Sequence, residues 1–388
     1  MEGNQREREF SHWLCNIEGI GRLTARKLLR MAGSAQGVYE MREEELAKVL
    51  SQEQLKRFLE ARRAGGVAEA YRELERKGIR HYPASDPLYP SRLLEIPDRP
   101  EGLYVKGNLP EEAVPAVALI GARVCSEYGA YLARRFAAAF AEAGVNVISG
   151  LARGIDGIGQ RSALDHGGAT YGVLGCGPDI CYPEENRDIY ERLAKAGGIL
   201  SEYPPGTRPR SGLFPQRNRI ISGLADAVVV IEAREKSGTF ITVDMALEQG
   251  REVFAVPGRV TDRLSSGCNR LIRQGAGMAL SPDDVLEELA RRRMKFAKQG
   301  KGAEPSMDTQ ENKRGRKETN RDARPAEETG YVRHILDCLD FLPLSAGQIQ
   351  ERMAAKGICL PLPVLMQELL ELSLEGRCGQ DGGYYYRI

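Results

Sequence analysis

The sequence is short of the groups that hydrolytic, redox and metal chemistry need. It holds four histidines in 388 residues: His12, His81, His166 and His334. Three of them lie far from any candidate loop, and His166 stands in an Asp-His-Gly-Gly segment that reads as the end of a helix. No Ser-His-Asp set is therefore visible, and no catalytic residue is assigned. Eight cysteines are scattered without a C-x-x-C pair, and Cys176 and Cys181 have no matching His or Cys cluster, so no metal site is expected. A strict G-x-G-x-x-G does not follow the first strand of the central region, which disfavours NAD and leaves no cofactor to assign. No apolar run reaches the length of a membrane span. Residues 1–9 are charged and lack the apolar core of a secretory signal, so a reduced, cytoplasmic protein with no membrane partner is expected. Excess charge of one sign is missing too. With a net charge of +1 there is no global attraction to nucleic acid, and any polyanion site must be a local patch.

What is present falls into four blocks. Residues 1–78 are helical in pattern, with Leu23, Lys27, Leu28 and Leu29 at helical spacing after Ile17-Glu18-Gly19-Ile20-Gly21. A Gly-x-Gly turn between helices lets backbone amides approach a phosphate, the logic of a helix-hairpin-helix (SAM-like) module. An ordinary helix–helix turn is the alternative. Further helices are expected over 43–50 and 52–77.

The second block, 79–292, opens on Pro83, Pro87, Pro90, Pro97 and Pro100, which break any long helix, while Tyr82, Tyr89 and Tyr104 give the segment enough apolar mass to pack. Then short apolar runs at 117–120, 145–149, 170–174, 198–201, 227–231 and 252–255 alternate with helical patterns at 129–143, 157–165, 186–196 and 240–249. Alternation of this kind predicts an α/β fold, an extended Rossmann-like doubly wound, mostly parallel sheet with helices on both faces. Residues 293–330 lose hydrophobic content, Met307 being the single bulky apolar residue between Phe296 and Tyr331, and read as a disordered, charged linker. Residues 331–388 regain pattern: three helical stripes, then a hairpin ending in Tyr384-Tyr385-Tyr386, the arrangement of a winged-helix domain. Its third helix, 362–375, carries Glu368, Glu371 and Glu375 and no Lys or Arg, which argues against duplex reading.

In a doubly wound sheet ligands bind where loops leave the carboxyl ends of the strands. Four loops stand out: Gly121-Ala122-Arg123 with Ser126 and Tyr128; Ser149-Gly150-Leu151-Ala152-Arg153-Gly154-Ile155-Asp156; Phe214-Pro215-Gln216-Arg217-Asn218-Arg219; and Glu232-Ala233-Arg234 with Ser237-Gly238-Thr239. Three of them offer glycine for backbone approach, and all four offer a hydroxyl or amide donor and an arginine. Arg217, Asn218 and Arg219 are expected at a helix entrance, where free N–H groups and the dipole favour an anion. Asp156 is expected as an N-cap and Glu232 as an ion-pair partner of Arg234, though either could act as an acid or base.

Taken together the motifs resemble the DNA-processing protein A family (DprA, also called Smf) along nearly the whole chain. The likeness rests on Asp86-Pro87-Leu88-Tyr89-Pro90, Ile120-Gly121-Ala122-Arg123, the loop from Ser149 to Asp156, Gly175-Cys176-Gly177 with Tyr182-Pro183, Ser201-Glu202-Tyr203-Pro204, the stretch from Phe214 to Gly223, Ser237-Gly238-Thr239, Val256-Pro257-Gly258 and Asn269-Arg270-Leu271-Ile272. The resemblance implies a non-enzymatic protein that binds single-stranded DNA and loads RecA recombinase during natural transformation. It also implies a homodimer through the Rossmann-like domain, with Arg123, Arg153, Arg217 and Arg219 in a basic DNA pocket. Gly121, Ser149, Gly150, Gly154, Phe214, Asn218, Ser237, Gly238 and Thr239 complete the expected site, with Phe214 or Tyr128 as the stacking aromatic. Two positions depart from the family pattern: Ala122 replaces a serine, and Gln160, which keeps hydrogen bonding but cannot titrate near neutral pH, stands where a histidine is usual. The competing expectation is a Rossmann-like nucleotide hydrolase of the nucleoside-monophosphate phosphoribohydrolase type, with Asp156 or Glu232 as acid or base.

Overall fold

A computed structural model describes residues 2–299, 331–339, 344–358, 360–374, 377–381 and 384–387. The chain forms two compact units, Met1–Pro305 and Ser306–Ile388.

The first unit begins with six helices, α1 (Glu2–Cys15), α2 (Arg22–Ala32), α3 (Ala35–Glu40), α4 (Glu43–Leu46), α5 (Gln52–Ala64) and α6 (Val67–Arg76). Trp13, Leu14, Leu28 and Phe58 form their shared core. The single helix expected over 52–77 is two helices, because Gly65 and Gly66 both adopt positive φ (63° and 71°) and turn the chain between them. Arg22 and Arg26, which follow the Gly-x-Gly turn on α2, do not face solvent freely. Arg22 pairs with Asp98 at 2.5 Å and Arg26 pairs with Glu101, which fastens α2 to the end of the proline-rich segment.

Nine strands form one sheet: β1 (Ile79–Pro83), β2 (Gly102–Gly107), β3 (Ala116–Ile120), β4 (Asn146–Ser149), β5 (Thr170–Leu174), β6 (Gly197–Ser201), β7 (Ala227–Val230), β8 (Glu252–Ala255) and β9 (Gly277–Met278). The order is β1-β2-β6-β5-β4-β3-β7-β8-β9. The ladder is parallel from β6 to β9 and antiparallel at β1–β2 and β2–β6. The proline-rich segment is thus a sheet extension as well as a packed connector. Its strands escaped the sequence reading because they are separated by α7 (Ser91–Leu94) and irregular turns rather than by a hairpin signal.

Side-chain alternation along the strands feeds two cores. Ala118, Ile120, Val228 and Val230 face one side, against Ile220 and Ile221 of α11 (Leu213–Leu224), Val243 of α12 (Thr239–Glu248) and Leu271 of α13 (Ser266–Arg273). Val117, Leu119 and Val229 face the other, against Phe136 of α8 (Glu127–Glu142), Ala163 of α9 (Ile155–Asp165) and Leu289 of α14 (Pro282–Gln299). Burial on both faces is why these strands read as continuous apolar runs. A further helix, α10 (Arg187–Ala196), lies beside β6. The linker expected at 293–330 is helical at its start, since α14 runs to Gln299; residues 300–330 lie outside the described residues.

The second unit holds α15 (Val332–Leu336), α16 (Ala346–Ala355) and α17 (Leu362–Leu374) with three short strands, β10 (Leu344–Ser345), β11 (Cys378–Asp381) and β12 (Tyr384–Arg387), in the antiparallel order β10-β12-β11. Ile335, Ile349, Met353, Leu365 and Leu369 form its core.

Where α1 meets β1 and β2, a polar cluster is buried. Ser11 Oγ lies 2.9 Å from His81 Nε2, and His12 Nδ1 lies 3.1 Å from the Tyr104 hydroxyl. Burial pushes His12 down to about 4 from 6.5, and His81 also well below its ordinary value. A histidine held neutral in the fold but protonated in the unfolded chain makes stability fall as pH drops from 6.5 toward about 4. We expect His12 alone to contribute a loss of about 2 kcal/mol between pH 7 and pH 5. Urea unfolding at the two pH values checks this, and His12→Gln should flatten the difference.

Candidate functional site

β3 is the turning point of the sheet. The connection through α8 leads from β3 to β4 on one side, while α11 carries the chain from β6 across to β7 on the other. A crevice opens at the carboxyl ends of strands at such a point. Here it is a cavity of about 710 Å³, contiguous with a smaller one of about 260 Å³. Arg123, Ala152, Tyr182, Phe214 and Arg217 line both.

The loops reach this crevice by specific contacts. After β4 the chain turns sharply at Leu151, the one non-glycine residue with positive φ (53°) among the described residues. That conformation is held from both sides. Leu151 N–H donates to Gln160 Oε1 (3.1 Å), and Asn186 Nδ2 donates to the Leu151 carbonyl (3.0 Å). Gln160, wholly buried, also donates to the Tyr171 carbonyl at 3.1 Å. Gln160 is thus a brace for the loop. Gln160→Ala leaves a buried N–H and a buried carbonyl unmatched, and a loss of about 2 kcal/mol in chemical unfolding is expected.

Arg217 is 4 % exposed. It lies in the second turn of α11, because the helix begins at Leu213, with Pro215 accommodated in the first turn where no intrahelical N–H is required. The free amides expected at Arg217 therefore belong to residues before it. Its Nη1 donates to the carbonyls of Gly150 (2.8 Å) and Val173, and its Nε to Asn218 Oδ1 (3.2 Å). A Cβ on Gly150 would stand 2.6 Å from Nη2, so only glycine admits the guanidinium here. Burial lowers Arg217 to about 10, against the opposing pull of Asp156, so it stays charged at neutral pH. Burial raises the Asp156 carboxyl, opposed by Arg217 and by the Gly150 N–H that donates to Oδ2 at 3.1 Å. Asp156 is not the N-cap of α9, a place taken by Gly154.

The aromatic part of the crevice is a pair. Tyr182 and Phe214 lie with ring centroids 5.5 Å apart and planes 31° from parallel, and Arg123 sits over Phe214 at 5.8 Å. Tyr182 is 46 % exposed, leaving a ring face free for a flat partner. On the far wall Ser237, Gly238 and Thr239 open α12, with Ser237 Oγ accepting the Thr239 N–H at 3.2 Å, and Arg234 and Lys236 add charge beside them.

The structure thus brings Gly121, Arg123, Phe214, Arg217, Asn218, Ser237, Gly238 and Thr239 around the larger cavity, and Gly150 and Arg153 around the smaller. Three expected residues lie elsewhere. Ser149 is buried and donates to the Leu119 carbonyl at 2.6 Å. Gly154 has φ +72° and packs against the Ala122 carbonyl, joining two loops behind the crevice. Arg219 is turned to the other side of α11, where it pairs with Glu202 (2.7 Å) and Asp98 (3.4 Å) and donates to the Asp98 carbonyl. Positions 217 and 219 on a helix cannot face one way, since residues two apart diverge. Tyr128, the alternative stacking residue, lines neither cavity and donates to the Pro257 carbonyl at 3.1 Å. Glu232 is not paired to Arg234. Its oxygens accept the Ser126 hydroxyl and the Ser126 N–H (2.9 Å), fixing the start of α8.

Tyr182 and Lys236 were not among the expected site residues, and Arg234, which stands in the fourth candidate loop, was expected to pair with Glu232. Lys236 adjoins the Ser-Gly-Thr turn, which was a usable signal; Tyr182 lay in a Tyr-Pro pair whose placement only the tertiary fold reveals.

A crevice of this kind, lined by Arg123, Arg217, Arg234 and Lys236 together with the pair Tyr182 and Phe214, suits a ligand that carries both phosphates and rings. The family model for DNA recombination-mediator protein A matches residues 80–290, and the chain belongs to that family. Protein Smf of Escherichia coli K12 is 36% identical over 317 residues, 81% of this chain and 79% of that protein. DNA processing protein DprA of Streptococcus pneumoniae R6 is 44% identical over 203 residues, 52% of this chain and 72% of that protein. The X-ray structure of DprA from Streptococcus pneumoniae superposes with a TM-score of 0.64 at 35% identity, over 72% of this chain and 97% of that one. Among the described residues no helix is long and apolar enough to cross a membrane, and no group of His, Cys, Asp or Glu could hold a metal ion.

Proposed function

We propose that the crevice binds single-stranded DNA and that the protein acts as a cytoplasmic recombination mediator, keeping the strand available and loading a RecA-type recombinase, without catalysing a reaction. The observation that carries this is that a wall-anchored guanidinium, Arg217, and an exposed one, Arg123, line the same crevice as the tilted aromatic pair Tyr182 and Phe214. Phosphates would lie on the cations and bases on the rings, the usual division of labour in single-strand binding. Cations and rings carry no sequence code, so the expected preference is for an unpaired strand rather than for a particular sequence. Membership of a recombination-mediator family supports the loading role.

The non-enzymatic reading is supported by where the carboxylates go. Both oxygens of Glu232 serve Ser126, and Asp156 is engaged by the Gly150 amide and neighboured by Arg217. Incubation with nucleoside monophosphates is expected to release no free base; release would favour the hydrolase. The homodimer would form through the sheet unit, where Met278 and Leu280 are 49 % and 65 % exposed at the β9 edge. The second unit, three helices followed by a strand pair, would be a winged helix. The glutamates Glu368 and Glu371 on α17 favour a protein partner for it over duplex DNA. For the crevice itself the test is fluorescence anisotropy with a labelled oligonucleotide. Arg123→Ala is expected to weaken binding about tenfold at physiological salt, and unchanged affinity would refute the site.

A further inference from the structure

A second concavity of about 520 Å³ lies between the outer faces of α8 and α9. Tyr131, Arg134 and Arg135 line it from α8 and Arg161 from α9. Arg161 is engaged by Asp188 (2.9 Å), and the one acid in the lining, Asp165, by Arg192 (2.7 Å). Arg134 and Arg135 are exposed, and neither side chain makes an ion pair or hydrogen bond among the described residues. Tyr131 is 55 % exposed, and the Ser162 hydroxyl closes the floor by donating to the Arg134 carbonyl at 2.8 Å. The trough therefore presents two uncommitted guanidinium groups and a free phenol ring.

Its position matters as much as its charge. α8 continues directly from the loop that carries Arg123, and α9 from the loop that carries Arg153 and Gly154. The two loops are clamped to each other by Ile155 N–H donating to the Ala122 carbonyl at 3.2 Å. Both walls of the trough are thus extensions of the walls of the crevice, and Tyr131 stands only about 6 Å along α8 from its first residue.

We propose that this trough is a second contact for single-stranded DNA, taking the segment that leaves the crevice, with phosphates on Arg134 and Arg135 and a base on Tyr131. This rests on the crevice being the primary single-strand site. Two free arginines beside an exposed aromatic fit a polyanion with flat bases. An acidic protein segment fits less well, because Ala138 and Ile158 are the only apolar side chains that the lining would offer it besides Tyr131.

The test compares oligonucleotides of about 6 and about 20 nucleotides, near the lower end of the usual span of one single-strand site and beyond its upper end. Arg134→Ala with Arg135→Ala places two good helix formers at exposed positions, so folding should be retained, as a thermal melt can verify. The double variant is expected to bind the short oligonucleotide like the native protein and to lose about tenfold or more on the long one, with Tyr131→Ala losing about tenfold on the long one alone. Native affinity for the long oligonucleotide in the double variant would overturn the proposal and leave an acidic partner for this face. Equal loss at both lengths would overturn it too. Arg123→Ala separates the two readings: if it leaves the short oligonucleotide bound, the crevice assignment fails on its own account.

Discussion

Arg217→Ala is expected to cost about 3 kcal/mol of folding stability and to abolish tight single-strand binding together. The guanidinium is simultaneously a wall of the crevice and a buttress of the sheet edge. It holds the carbonyls of Gly150 and Val173, at the ends of the β4 and β5 region, and is the main cation offsetting the buried Asp156 carboxylate. Removing it takes a donor from both carbonyls and leaves Asp156 with only its remaining hydrogen bonds to offset burial. The pH dependence follows with a definite sign. Asp156 already titrates above its ordinary value because of burial, and loss of Arg217 raises it further. A carboxyl that binds protons more readily in the fold than in the unfolded chain destabilises the fold as pH rises. The deficit of the variant should therefore be smaller at pH 5 than at pH 8, as urea midpoints would show. Arg217→Lys keeps the charge but loses the fork, so intermediate stability and poor binding are expected.

Replacing Tyr182 and Phe214 together by leucine should reduce single-strand affinity about a hundredfold while leaving the unfolding midpoint nearly unchanged. Leucine keeps apolar volume against Gly175, where any Cβ would stand 2.9 Å from the Phe214 ring, but removes both ring faces. Each ring should contribute about tenfold, and Arg123 loses its seat over Phe214 at the same time. Binding isotherms for both single variants and the double would show whether the pair acts as one stack. A double variant no weaker than Phe214→Leu alone would remove Tyr182 from the site.

The layer architecture was legible because it is written in periodicity. Strands β3 to β8 are short apolar runs buried on both faces, and the helices between them keep a regular repeat. β1 and β2 were not legible, since prolines and the short α7 hide the pairing of Tyr82 with Leu103 and of Tyr104 with Ser201. The candidate site was legible at the level of loops, because strand-to-helix turns gather at one edge of such a sheet. Side-chain direction was not. Arg217 and Arg219 carry the same chemistry two residues apart, yet one lines the crevice and the other closes an ion cluster with Glu202 and Asp98. Glu232 next to Arg234 suggested an ion pair, whereas the partner of Glu232, Ser126, is more than a hundred positions away in sequence. Local spacing holds no information about such a contact.

The direct measurement is the salt dependence of single-strand affinity for the native protein beside a variant lacking Arg123 and Lys236, both of which line the larger cavity. Each phosphate contact contributes about −0.7 to the slope of log affinity against log salt. The native protein should show a steep negative slope and the double variant one flatter by about 1.4. Equal slopes, or an affinity indifferent to salt, would mean that the strand is held somewhere else.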